Sequence, residues 1–252
     1  MPQADVLLIT VTKTESRAVL HHFKTLSNSK AKTRHIDKRV YFDLGEINGA
    51  AVFLTQSAMG SGGLDASLQA VTKGIEALQP TAVIMVGIAF GINEDKQKIG
   101  DVLIAEQLQP YEAQRVGEKI ILRADRPHSA PWLLNLCRSA ELMWDENKAK
   151  LRFGVVLSGE KLVDNLAFRN QLLELVPEAI GGEMEGAGLY VACHDKKIDW
   201  LLVKAVCDFA DGNKGDNKDN RQQLAANNAA EFVLYCLQFV PIDWQAMRQQ
   251  HA

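Results

Sequence analysis

The sequence predicts an α/β fold, one mostly parallel sheet with helices packed against it. Three observations carry that prediction. Short apolar runs rich in β-branched residues alternate along the chain with segments of helical periodicity. The run from Trp200 to Val206 is a strand of the kind buried on both faces of a parallel sheet. At 252 residues, with 47% apolar and 23% charged side chains, the chain is long enough to bury one large core.

Val6 to Val11 (VLLITV) reads as the first buried strand. Thr12-Lys13-Thr14-Glu15 follows, then a helical pattern to about Phe23. Thr12 and Glu15 match a capping box, in which Thr12 bonds the Glu15 amide and Glu15 reaches back. The same spacing also sets Glu15 at the carboxyl end of a strand, where open α/β sheets bind ligands. Arg39–Leu44 and Ala51–Gln56 are paired strands joined through Ile47-Asn48-Gly49. Ser57-Ala58-Met59-Gly60-Ser61-Gly62-Gly63 then opens a helix from Leu64 to Leu78. That loop presents backbone N–H groups suited to an anion or a hydroxyl. It is neither a dinucleotide fingerprint nor a Walker loop, because Asp65 stands at the third glycine position and no Gly-Lys-Ser/Thr follows.

Ala82–Val86 is a central strand followed by Gly87-Ile88-Ala89-Phe90-Gly91. These glycines permit close backbone approach to a planar ligand, or else make a tight turn with Phe90 in the core. Val102–Ala105 is another strand. Residues 107–130 are polar and turn-rich, with a hairpin around Gly117-Glu118. Pro131 starts an amphipathic helix to about Asn147. Phe153–Leu157 is the next strand and Ala167–Leu175 the next helix, with Pro177 as a break. Gly181 to Asp211 organises the rest: Glu183 and Glu185 flank Met184, a helix runs to about Lys196, and the Trp200–Val206 strand ends on Cys207 and Asp208. Ala210–Gln223 reads as a solvated loop or lid, and Leu224–Phe239 as the last helix.

The formal net charge of −3 offers no electrostatic reason to expect a nucleic-acid partner. Val6 opens a strand too early for a signal peptide, and no apolar stretch approaches membrane length. Four cysteines, without CxxC or metal-type spacing, fit reduced thiols in a cytoplasmic protein. His194 lacks companions of zinc-ligand spacing, so no metal or cofactor is expected.

Two pieces then become informative together: Gly182-Glu183-Met184-Glu185-Gly186 and Lys204-Ala205-Val206-Cys207-Asp208-Phe209-Ala210-Asp211. With Val86-Gly87-Ile88-Ala89, Ile99-Gly100-Asp101-Val102 and Val155-Val156-Leu157-Ser158-Gly159, in that order, the chain resembles the nucleoside phosphorylase superfamily. Within it the similarity is to the methylthioadenosine/S-adenosylhomocysteine nucleosidases. The resemblance implies a single three-layer α/β/α domain over residues 1–252, with a central twisted mixed sheet, a homodimer or higher homo-oligomer, and N-glycosidic cleavage of a small nucleoside. By position it implies that Asp208 is the general acid at the base and that Glu15 activates water, with Ser57 near that water. Glu185 binds the ribose hydroxyls and Met184 packs beneath the ribose. Leu162 and Val163 contact the base, Phe90 and Lys204 complete the substrate site, and no cofactor is required.

Some residues depart from the family pattern. Lys204 replaces an arginine and loses its planar fork, Cys207 replaces a serine, and Leu162 replaces an aromatic. These departures motivate one alternative, a nucleoside-sensing module with weak catalysis. A phosphate-dependent phosphorylase is another. Glu15 stands where phosphorylases hold phosphate and would repel it, which favours hydrolysis, whereas Lys13 and Arg17 leave an anion site open or are a solvated surface.

Overall fold

The structure, a computed structural model, describes residues 3–27, 30–145, 147–212, 215 and 217–250. The first half runs β1 (Val6–Thr10), α1 (Lys13–Ser27), β2 (Lys32–Ile36), β3 (Arg39–Ile47), β4 (Ala50–Gln56), α2 (Ser67–Leu78), β5 (Ala82–Gly91) and β6 (Val102–Pro110). The small hairpin β7 (Gln114–Val116) and β8 (Ile120–Leu122) follows, then α3 (Pro131–Glu141), β9 (Leu151–Ser158), α4 (Leu166–Leu175) and β10 (Ala179–Glu183). The chain continues through α5 (Gly186–Lys196), β11 (Asp199–Asp208), α6 (Lys218–Phe239) and α7 (Trp244–Gln250).

Among the described residues, nine strands form one sheet in the order β10-β9-β6-β11-β5-β1-β4-β3-β2. Its β5 pairs in parallel with β1 and β11, and β1 with β4. The β2–β3–β4 edge and the β6–β11 pair are antiparallel. The sheet is therefore mixed, as the resemblance implies and as the alternation of elements alone does not reveal. It also folds back on itself. Antiparallel pairing of Gly181 with Gly91 and of Gly182 with Phe90 joins β10 to β5. That closure brings the ends of β5, β10 and β11 to one place.

Strand alternation builds the three layers. Leu8, Leu54, Ile84 and Val203 face α1, α3 and α6 through Val19, Leu133 and Phe232. Leu7, Phe53, Val83 and Leu202 face α2 and α5 through Val71, Ile75, Leu189 and Cys193. Lys204 shares the parity of Leu202, so its side chain enters the layer that holds the start of α5.

Several boundaries differ from the sequence expectation. The polar edge strand β2 (KTRHI, exposed at four positions) carries no apolar signal and is set by pairing with β3. The expected hairpin is present, with Asn48 and Gly49 both at positive φ. Helix α2 begins at Ser67, not Leu64, because Asp65 is left-handed and Leu64 stays exposed. Residues Gly87–Gly91 continue β5 instead of turning. Helix α3 stops at Glu141, short of Asn147, leaving Leu142 and Met143 exposed. Helix α6 starts at Lys218, so the second part of the expected loop is helical.

Candidate active site

One cavity opens at the carboxyl ends of the strands, the position expected for an α/β ligand site. Its wall takes Thr12 and Glu15 from the β1–α1 junction, and Ile88, Ala89 and Phe90 from β5. Lys161, Leu162 and Val163 come from the segment after β9, Gly182 to Glu185 from the β10–α5 junction, and Cys207 and Asp208 from β11. Met59 and the first turn of α6 (Lys218, Arg221, Gln222) complete it.

Glu15 is buried, at 2% exposure, and both readings of its spacing hold at once. The capping box forms: the Glu15 amide donates to Thr12 Oγ1 at 3.2 Å, and Glu15 Oε2 accepts from the Thr12 amide at 2.6 Å. The same Oε2 accepts the Val11 amide at 2.8 Å, while Oε1 accepts the Ile88 amide of β5 at 2.8 Å. The carboxylate thus bridges β1 and β5 while facing the cavity. This approach requires glycine at position 87, since a side chain there would run into the Glu15 carboxylate and Lys204 Nζ.

Lys204 lies beneath the wall and does not line it. It is fully buried, and its Nζ stands 3.1 Å from Glu185 Oε2 and 3.7 Å from Glu183 Oε2. Burial opposes the ammonium charge, but Glu185, Glu15 and Glu183 outweigh it and hold the group above the ordinary lysine range. For Glu183, burial dominates and raises its pKa, against the lowering pull of Lys204. Glu183 also accepts the amides of Glu185 and Gly186 at 2.9 Å. It therefore shapes the turn that presents Glu185, a role no sequence motif marked. Glu185 Oε1 accepts the Gly60 amide at 3.1 Å, which ties it to the glycine-rich loop.

Asp208 ends β11, where the pairing with β5 shifts register between Val206 and Asp208. Its Oδ1 accepts the Ala210 amide at 2.9 Å, and the Cys207 thiol donates to Oδ2 at 3.2 Å. Cys207 thus supplies a hydrogen-bond donor to the Asp208 carboxylate. Phe90, Val163 and Met184 supply apolar wall. Phe90 packs on Gly182, where any side chain would meet its ring. Leu162 also lines the cavity but is 66% exposed and offers no aromatic face.

Ser57 does not itself line the cavity: it is buried, its amide donates to the Thr10 carbonyl at 2.8 Å, and its hydroxyl has no hydrogen-bond partner among the described residues. Met59 lines the cavity from the same loop. Lys13 and Arg17 are exposed and likewise absent from the wall. Cations do reach the cavity, but from Lys161, Lys218 and Arg221. Lys218 and Arg221 lie in the segment that the sequence reads as a solvated loop. The RQQLAA sequence from Arg221 to Ala226 is built of good helix formers and carried the overlooked signal.

Among the described residues, no group of three or more His, Cys, Asp or Glu side chains could hold a metal ion, and no helix is long and apolar enough to cross a membrane. Chemically, the cavity sets three carboxylate-bearing walls around an apolar slot. Such an arrangement can bind hydroxyls, oppose a developing positive charge and exchange protons with a leaving group and with water.

A family model described as the phosphorylase superfamily matches residues 7–238. The chain is similar to a death domain-containing ATP nucleosidase of Amphimedon queenslandica, at 27% identity over 255 aligned residues covering 92% of this chain. It spans about half of that relative's length, 48%. It is 26% identical over 196 residues to the 5'-methylthioadenosine/S-adenosylhomocysteine nucleosidase of Staphylococcus epidermidis, covering 77% of this chain and 84% of the relative. Its fold is similar to that of the corresponding Neisseria meningitidis nucleosidase, solved with methylthio-immucillin-A. There the TM-score is 0.78 at 22% identity, covering 93% of this chain and 99% of that one.

Proposed function

The chain belongs to the phosphorylase superfamily, and from that premise we propose that it is a purine nucleosidase acting on an adenosine-type nucleoside or nucleotide. The observation that carries this reading is the convergence of Glu15, Glu185 and Asp208 on one cavity with an apolar wall. The C1′–N9 bond breaks as a bond from water oxygen to C1′ forms. Asp208 gives a proton to the departing base and Glu15 takes one from the water, so the protons balance. Glu185 holds the ribose hydroxyls and faces the cationic sugar, Met184 packs against the ribose, and Phe90, Leu162 and Val163 contact the base. Lys204 acts from below, by holding Glu185 in place.

Hydrolysis is favoured over phosphorolysis by the Glu15 carboxylate, which faces the position a phosphate nucleophile would need. The exposed placement of Lys13 and Arg17 supports the same choice. The reading is of one domain, a cytoplasmic enzyme without cofactor that works as a homodimer or larger homo-oligomer. The exposed Val116, Ile120 and Ile121 on the β7–β8 hairpin support self-association.

Chromatography with mass detection on the purified protein tests the reaction, using methylthioadenosine, adenosylhomocysteine, adenosine, AMP and ATP with and without phosphate. Adenine plus free sugar in the absence of phosphate is the expected result. Adenine with a sugar 1-phosphate, formed only when phosphate is present, would make it a phosphorylase. Nucleoside binding without turnover would make it a sensor.

A further inference from the structure

The roles above leave one part of the cavity wall unused, and that part is cationic. Lys218 and Arg221 are three apart on α6, so they share a helix face, and both line the cavity together with Gln222. Lys161 also lines it, though its Nζ is paired with Glu112.

The four carboxylates of the wall belong to other elements and are held there. Glu15 takes three backbone amides, and Glu183 takes two. Glu185 takes the Gly60 amide and Lys204, and Asp208 takes the Ala210 amide and the Cys207 thiol.

A nucleoside offers three directions from its ribose. The base goes to Asp208 and the apolar wall, and the hydroxyls go to Glu185. The substituent on C5′ is left for the remaining wall, the first turn of α6. An ammonium beside a guanidinium fork suits phosphate oxygens, which accept charge-assisted and bidentate hydrogen bonds. A methylthio group offers no such oxygens, and a homocysteinyl tail offers one carboxylate, with less negative charge than a di- or triphosphate.

Resting on the nucleosidase reading, we propose that Lys218 and Arg221 form a subsite for the 5′-phosphates of a nucleotide, making nucleotides the preferred substrates. The reaction is the same hydrolysis: water adds at C1′, adenine leaves with a proton, and the sugar keeps its 5′-phosphates. An inorganic phosphate is the other source of the same oxygens. To attack C1′ it would have to sit beside Glu15, away from a subsite on α6.

The test compares kcat/KM for adenosine, methylthioadenosine, AMP and ATP, with the sugar product identified by mass. Wild-type protein is expected to favour AMP or ATP over adenosine by about tenfold or more, the scale of one charge-assisted contact, and to release ribose 5-phosphates. The preference is expected to shrink as salt rises, since exposed charges are screened. In the double variant Lys218→Gln/Arg221→Gln the ratio of ATP to adenosine is expected to fall about tenfold or more. Nucleosides cleaved as well as nucleotides, or a ratio unchanged in the double variant, would overturn the subsite alone. Ribose 1-phosphate formed only with added phosphate would instead overturn the hydrolysis on which the subsite rests. No adenine from any of the four would overturn the nucleosidase reading as well. The salt series on unaltered protein keeps the proposal testable if the double variant fails to fold.

Discussion

Lys204 Nζ and Glu185 Oε2 lie 3.1 Å apart, on side chains almost withdrawn from solvent. With Glu183 and Glu15 close by, one buried ammonium faces three carboxylates that come from two distant parts of the chain. Removing a single partner from such a group leaves uncompensated buried charge, which is far more damaging than losing a surface pair.

Lys204→Met is therefore expected to destabilise the fold by about 3–5 kcal/mol, read by denaturant unfolding. Lys204→Arg restores the charge, and it is expected to recover much of that loss if the larger head fits beside Gly87. A Lys204→Met protein as stable as wild type would contradict the account of the cluster.

The same group sets a pH dependence. The Lys204 pKa is raised in the folded protein, so its contribution is fully present below the unfolded value of 10.5 and is lost as pH rises through the folded value. Glu183 is also raised, so its own contribution is present below 4.5 and is lost as pH climbs through its folded value. The stability difference between wild type and Lys204→Met is expected to decline above pH 10.5. Thermal unfolding across that range measures it.

Asp208→Asn keeps the size of the side chain and its contact with the Ala210 amide but cannot donate an acidic proton. Turnover is expected to fall about 10²–10⁴-fold, with KM and melting temperature little changed. Adenine release under single-turnover conditions reads it directly.

Glu15 separates fold from chemistry. Glu15→Gln keeps one acceptor oxygen, enough for the Val11 and Thr12 amides, and loses the acceptor of the Ile88 amide, so the junction is expected to survive at some cost in stability while activity drops about 10²-fold or more. Glu15→Ala strands the amides of Val11, Thr12 and Ile88, and is expected to cost a further 1–3 kcal/mol or so of stability. Unfolding and turnover measured on both variants distinguish the two effects.

Gly87→Ala is expected to abolish activity and lower stability, because the added methyl would meet the Glu15 carboxylate and Lys204 Nζ. Unfolding and adenine release measured together report the change. Normal turnover in this variant would mean that Glu15 can work from elsewhere.

Much of this protein was determined by local sequence. Apolar runs and caps placed β1, β4, β11, α1 and α5, because burial and hydrogen bonding at those points depend on neighbours a few residues away. The motif from Gly182 to Gly186 and the end of β11 marked Glu185 and Asp208, because a carboxylate at a strand end faces the crevice wherever the strands run parallel. Tertiary structure alone decided the remainder. The polar strand β2 exists because β3 pairs with it, and Gly87–Gly91 stays extended because β11 and β10 flank it. Lys218 and Arg221 reach the cavity wall only because the first turn of α6 packs beside it. The clustering of Glu15, Glu183 and Glu185 on Lys204 has the same origin. Glu15 lies far along the chain from the other three, and only the sheet, with β5 between β1 and β11 and closed onto β10, makes their mutual electrostatics a property of one site.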